Sequence, residues 1–385
     1  MQLIAHKSID SILPTDWSYH QDSHTPFTRY EFHQCLEHSG CVGGDTGWQP
    51  LHLELVDLGK PVVLIPGYLK SHSWGEYVFD FAWAEAHERY QRPYYPKLVA
   101  AVPFTPCAGP RLLLAPEADI KQVTTELAVQ LPYIAQEHGF HSWHWLFAQQ
   151  PDWPAAKATP WHQRLGCQYH WYNQGYNEFA DFLAQLSSRK RKNLRKERAQ
   201  IAAQGIQFNW IEGQDISSEQ LQEFFACYAN TYHVRGRRPY LNLEFFQLLQ
   251  QKMPEQIVLM QATGSDLRSD PKHPKALAYA WYFKDQDTLY GRYWGSMEDI
   301  SLLHFETCYY QGIDYCIANG LQHFDAGAQG EHKLARGFIP QVTHSYHWLQ
   351  EAGFGQAIDQ FCQQEAAHIK EYMQWADTKT PYRGS

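Results

Sequence analysis

Along the first half of the chain, short apolar runs alternate with amphipathic stretches. The runs Leu51 to Asp57 and Pro61 to Tyr68, the second containing Val62-Val63-Leu64-Ile65, predict strands. Phe79 to Tyr90 predicts a helix, and Pro96 to Phe104 a buried strand closed by Pro103 and Pro106. A helix from about Glu117 to Glu137, ended by Gly139, and strands at Ser142 to Phe147 and Cys167 to Tyr172 follow. The proline-rich stretch Pro151 to Pro160 is the first candidate boundary. The apolar positions Phe179, Phe182, Leu183, Leu186, Leu194 and Ile201 then fall near helical spacing, so one long helix is expected from Asn177 to about Gln204, capped by Gly205.

The second half repeats the style. Strands are expected at Ile206 to Ile211, Gln256 to Gln261, Ala276 to Phe283, Thr288 to Trp294 and Leu321 to Asp325. Helices are expected at Ser218 to Tyr232, Leu243 to Gln251 and Ser301 to Asn319, and the polar stretch Gly264 to Pro274 reads as an exposed hairpin-like loop. The fold class is α/β (α+β), in two similar halves. Val62 to Tyr90 loosely resembles Thr288 to Asn319, without a residue-level repeat.

Composition narrows the function classes. The 385 residues suffice for two domains, and 44% apolar with 19% charged residues is a folded composition. Lys and Arg total 32 against 41 Asp and Glu, a net charge of −9, so a polyanion must be met by a local patch and DNA is not an expected partner. The first ten residues lack a signal-peptide core and no stretch reaches the length of a membrane span, so the expected location is cytoplasmic. Eight scattered cysteines without a CxxC pair suggest reduced thiols and no zinc knuckle.

Four segments carry candidate chemistry. Ser187 to Arg198 sets seven cations against Glu197, with Arg191, Arg195 and Arg198 on one helical face and Lys192 beside them. That concentration suits phosphate from RNA or a nucleotide-bearing substrate, or else forms a solvated face. The strand Leu289 to Gly295 places Arg292 and Trp294 before a Gly-Ser turn and a helix start, a geometry suited to an anion or oxyanion. Alternatively, Arg292 is paired within the fold. On the next helix Leu302, Glu306, Tyr309, Ile313 and Ile317 form an apolar stripe, so Glu306 is buried or faces a cleft. Desolvation would raise its pKa, whereas pairing with Arg292 or Arg336 would keep it charged and structural.

The fourth segment, Phe324 to Phe338, frames Glu331, His332, Lys333 and Arg336 with glycines on a loop fed by a buried strand, as a catalytic loop would be built. Glu76, Tyr95 and Lys97 are first-half candidates for the same cleft, or part of the architecture. No GxSxG, GxxxxGK[ST], GxGxxG or HExxH occurs, and the His138/His141/His144 and His344/His347 spacings lack the company of a metal site.

The segments GEYVFDFAW, YYPKLVAAVPFTP, QYHWYNQGY, SSRKRKNLRKER, YGRYWG, HFETCYYQGIDYCIANG and FDAGAQGEHKLARGF together resemble the FemAB-like "peptidoglycan biosynthesis/recognition" family of N-acyltransferases, over about residues 65 to 350. That family is similar to the Fem aminoacyltransferases, two tandem GNAT-type domains that move an amino acid from aminoacyl-tRNA to an amine of a cell-wall precursor. The resemblance implies two GNAT-like domains, each a mixed sheet flanked by helices. The first would span 1–172, and the second 173–385, with the basic helix 177–204 and a catalytic loop at 325–338.

The resemblance also implies an amide-forming reaction whose donor is aminoacyl-tRNA or acyl-CoA, with no bound cofactor or metal. The acceptor would be an amine on a small molecule, peptide or cell-wall precursor, with tRNA as a possible partner. Lys333 corresponds to a functionally needed lysine, although His332 replaces the family's aromatic residue before it. Lys333, Glu331 and His332 are thus the catalytic candidates. Arg292, Trp294, His304, Glu306, Gln329, Arg336, Tyr95, Lys97 and Glu76 are the substrate-binding ones, and Arg191, Lys192, Arg195 and Arg198 the phosphate-binding ones. A non-catalytic module that recognises a precursor or RNA is the alternative.

Overall fold

A computed structural model describes residues 1–19, 25–149, 161–264, 276–328 and 330–383. The expectations placed on Pro151 to Pro160, on nearly all of the loop Gly264 to Pro274 and on Gln329 fall outside the described residues. The chain divides into two compact units, Met1–Cys167 with Val342–Glu371, and Gln168–Gln341 with Tyr372–Ser385. Val342–Glu371 returns to the first unit, which a contiguous division at residue 172 does not provide for.

The first unit begins with β1 (Gln2–His6), α1 (Pro14–Ser18), α2 (Tyr30–His38), β2 (Trp48–Pro50), β3 (His52–Asp57), β4 (Lys60–Ile65), β5 (Tyr68–Lys70) and α3 (Phe81–Arg89). It continues through β6 (Lys97–Ala100), β7 (Leu113–Leu114), α4 (Ile120–His138) and β8 (Ser142–Ala148) into β9 (Trp161–Tyr172), whose residues beyond Cys167 belong to the second unit. One sheet has the order β1-β3-β4-β7. In the other, β6 and β8 pair in parallel, Leu98↔Trp143 to Ala100↔Trp145. Every residue of β8 is buried, as a strand in the middle of a sheet covered on both faces must be. Asp119 caps α4 at its start and Gly139, at φ +71°, ends it.

The second unit adds α5 (Phe179–Gln185), α6 (Ser188–Ala202), β10 (Gln207–Glu212), α7 (Ser218–His233), α8 (Leu243–Lys252), β11 (Ile257–Thr263), β12 (Ala276–Lys284) and β13 (Thr288–Ser296). After these come α9 (Leu303–Phe305), a π turn (Glu306–Tyr310), α10 (Gln311–Ala318), β14 (His323–Ala328) and a 3-10 helix (Glu331–Arg336). Its strand order is β10-β11-β12-β13-β14-β9, antiparallel except for the parallel pair β13–β14. A Cβ at Gly295 would lie 2.0 Å from the Cys227 carbonyl oxygen, so the missing side chain lets α7 press onto β13. The chain closes with β15 (Ile339–Leu349) and α11 (Ala352–Asp377). No helix among the described residues is long and apolar enough to cross a membrane.

The expected helix 177–204 is two helices. Leu186 is extended and fully buried, and the Ser187 N–H donates to the Pro381 carbonyl, so the C-terminal segment holds the chain out of helical geometry there. The helix expected at 301–319 is interrupted by the π turn. The strand expected to reach Phe104 ends at Ala100, where the chain turns away and Phe104 adopts φ +58°. The repeated device is β6–α4–β8 against β13–α10–β14, each a parallel pair joined by a crossover helix, and not the match of Val62–Tyr90 with Thr288–Asn319.

Candidate active site

Strands β13 and β14 pair only from Thr288↔His323 to Tyr290↔Asp325. Beyond that point they part, and a cavity of about 100 Å³ is lined by Arg292, Trp294, His304, Cys308, Tyr309 and Ala326 with the neighbouring strand residues. The lining groups come from β12 (Ala280 to Tyr282), from β13, from α9 and its π turn, and from Ala326 of β14. A π turn commonly marks a functional position in a helix.

Arg292 is a buried cation with a partner. Its Nη2 donates to Asp325 Oδ2 at 2.6 Å, and its Nη1 to the carbonyls of Gly291 and Asp325 at 3.0 and 3.1 Å. Burial opposes the Asp325 charge, but the guanidinium holds the carboxyl well below the usual carboxylate range. Trp294 donates its indole N–H to Thr307 Oγ1 at 2.8 Å and meets His304 edge to face, ring centroids 4.9 Å apart. Burial, followed by the charges of His332, Lys333 and Arg336, lowers His304 to about 4, so this ring is neutral at physiological pH. Tyr309 Oη lies 2.9 Å from His332 Nε2, and burial keeps the phenol protonated. Burial also pushes the Cys308 thiol up to about 12.

The three catalytic candidates separate. Glu331 and His332 are exposed, and His332 is turned to Tyr309. Lys333 is 2% exposed, and its Nζ donates to the carbonyls of Ala326, Gly327 and Ala328 at 2.9, 2.8 and 3.4 Å. Burial lowers it to about 8, against the pull of Asp325.

Glu306 is buried as the stripe implied, but its partner is neither Arg292 nor Arg336. Its Oε1 accepts from Arg198 and Gln311, each at 2.9 Å, while Arg198 also donates to Asp314 at 2.6 Å and stacks over Phe179. Arg336 donates to both oxygens of Glu197, at 3.1 and 2.9 Å, and lies 3.5 Å over the Phe305 ring. Arg198 and Arg336 therefore tie elements together. Along α6, Lys192 and Arg195 are exposed and Arg191 half-buried, so they, and not Arg198, present charge to solvent.

Glu76, Tyr95 and Lys97 come together in the first unit. Lys97 Nζ donates to Glu76 Oε2 at 2.8 Å, to Ser73 Oγ at 3.1 Å and to Asp80, while Tyr95 Oη lies 2.7 Å from Ser73 Oγ. Lys70, fully buried opposite Lys97 across the β5–β6 pair, sits 3.7 Å over the Trp48 ring. Burial pushes Lys70 down to about 6 and Glu76 up to about 7. Sequence reasoning missed Tyr309, which stood on the apolar stripe, and Asp325 and Asp80, which stood inside the quoted segments.

The family described as FemAB_like, peptidoglycan biosynthesis/recognition, matches residues 8–384. The chain belongs to this FemAB-like family. No curated protein matches the sequence. Among solved structures, FemX superposes with a TM-score of 0.55 at 11% identity, over 93% of this chain and 100% of that one. A tandem GNAT protein from the clavulanic acid biosynthesis pathway gives 0.50 at 10%, over 91% and 98%. L-PGS from Bacillus licheniformis gives 0.50 at 10%, over 83% and 91%. At these identities the likeness is one of fold: the FemAB-like chain is a tandem GNAT-like α/β protein, and the parting parallel strands recur in each of its units.

Proposed function

We propose that the second unit is an N-acyltransferase that moves an acyl or aminoacyl group from an activated ester or thioester to an amine of a cell-wall precursor. The observation that most supports this is the cavity beside the β13–β14 wedge, walled by a neutral His304, by Tyr309, whose hydroxyl meets His332, and by Arg292, which is paired with the buried Asp325. The family description supports a cell-wall precursor as acceptor.

In this reaction the amine nitrogen attacks the acyl carbonyl, a C–N bond forms and the C–O or C–S bond to the donor breaks. The nitrogen loses a proton and the leaving group gains one. His304, neutral at the cavity wall, accepts the proton from nitrogen, and the Tyr309 hydroxyl, backed by His332, supplies one to the departing oxygen or sulfur. Arg292, held by Asp325 and by the carbonyls of Gly291 and Asp325, keeps the β13 wall fixed while the substrates are aligned. Holding both substrates in the wedge supplies much of the remaining acceleration.

The exposed cations of α6 favour a phosphate-rich donor, and aminoacyl-tRNA uses such a surface more fully than acyl-CoA. The test is donor binding and turnover with an acyl-CoA panel and with charged and uncharged tRNA across a salt series. Wild type is compared with Arg191→Ala/Arg195→Ala. The expected result is salt-steep aminoacyl-tRNA binding whose log–log slope falls by about 2 in the double variant. Turnover of an acyl-CoA with indifference to tRNA would make the donor a thioester, and binding without turnover of any donor would contradict the enzyme reading.

A further inference from the structure

The family resemblance placed Lys333 among the reacting groups, and its surroundings assign it other work. We propose that Lys333 is a positioning residue whose ammonium props open the wedge between β13 and β14 by holding the carbonyls of Ala326, Gly327 and Ala328. This deepens the transferase reading of that cavity and rests on it.

An ammonium has three N–H donors, and here three backbone carbonyls receive them, so none is left for an oxyanion without first releasing a carbonyl. Those carbonyls lie where strand pairing is weakest. The β13 ladder has ended at Asp325, and the register of β14 against β9 shifts between Asp325 and Ala328. Buried carbonyls there need donors from outside a regular ladder. The same short stretch is fixed from its other end by Asp325, which accepts from Arg292 and, through Oδ1, from the Gly327 N–H at 2.8 Å. Ala326 is part of the cavity wall, so whatever fixes residues 325–328 fixes the width of the cavity.

The platform that carries Lys333 is itself anchored. Its 3-10 helix lies between Gly330 at φ +102° and Gly337 at φ +92°, conformations that favour glycine. Arg336 fastens that helix to Glu197, and the Tyr382 hydroxyl donates to the Gly337 carbonyl at 2.7 Å. A lysine that only contacted substrate would not need its stem buried and its donors consumed by backbone carbonyls.

The experiment compares wild type with Lys333→Met and Lys333→Arg by hydrogen–deuterium exchange over residues 324–330 and by kinetics with the donor that turns over. Lys333→Met is expected to speed exchange in that segment about tenfold or more and to raise the donor KM about tenfold with kcat changed far less, and Lys333→Arg to restore most of both. Unchanged exchange with a large kcat loss at constant KM in Lys333→Met would overturn the proposal. If Lys333→Met does not fold, Lys333→Arg decides: near-wild-type exchange and KM support the prop, and intact protection with a kcat loss of about 100-fold contradicts it. If no donor turns over at all, the transferase reading has failed, and exchange alone judges the prop.

Discussion

The two units meet the same structural problem and solve it differently. In each, two parallel strands joined by a crossover helix part after a few paired residues. In the first unit the chain fills its own gap. The Gly109 N–H donates to the Phe147 carbonyl at 3.1 Å, the Gln149 N–H to the Gly109 carbonyl at 3.2 Å, and Arg111 Nε to the Leu146 carbonyl at 2.7 Å. In the second unit the carbonyls beyond the parting point are held by the tip of one side chain, Lys333, and space for a ligand remains beside them. Sealing with backbone gives a rigid wall, whereas sealing with one long side chain leaves a cavity. The titratable groups follow suit: Lys97, Glu76 and Asp80 are locked together in the first unit, while the uncharged His304 and Tyr309 line the opening in the second.

The largest expected effect comes from breaking the sealed side. Lys97→Met leaves Asp80 buried without its cation and Glu76 with only the more distant Lys70, at 3.9 Å, and is expected to cost about 3–5 kcal/mol, read by urea denaturation. A loss below about 1 kcal/mol would show that the cluster is open to water, as a site and not a seal would be.

On the open side, His304→Gln is expected to lower kcat/KM about 100-fold while leaving the urea midpoint within the range of ordinary surface variants. A matching loss of stability and no kinetic effect would assign His304 to packing.

The smallest effect concerns acid. His144 in the first unit is held at about 3, and His304 and His323 in the second at about 4, each mainly by burial. Between those values and the unfolded value of 6.5 the native chain binds fewer protons than the unfolded chain. Their stability contribution is therefore whole above 6.5 and is lost as pH falls toward 4. His304→Gln removes one such group and is expected to lower the acid-unfolding midpoint by roughly a few tenths of a pH unit. An unchanged midpoint would mean that His304 is charged in the folded protein.

Local signals made much of this legible, and the misses share a cause. The strand–helix alternation, the burial of Glu306 and the cationic α6 all follow from spacing within one element. The partner of Glu306 did not, because Arg198 stands 108 residues away and only the fold decides which buried cation meets which carboxylate. The interior placement of Lys333 was illegible for the same reason, since its partners are backbone carbonyls that carry no sequence signature. Strand β15 and helix α11, which return the chain to the first unit, were not anticipated. Leu186, at helical spacing, was pulled into an extended form by a segment near the C-terminus.

On the proposed function, the wedge of the second unit receives the donor and that of the first does not. The most direct test is hydrogen–deuterium exchange of the full chain with and without a saturating donor, acyl-CoA or aminoacyl-tRNA. New protection is expected in residues 291–296 and 304–309 and none in 97–111 or 142–148. Protection confined to the first unit's strands would contradict it.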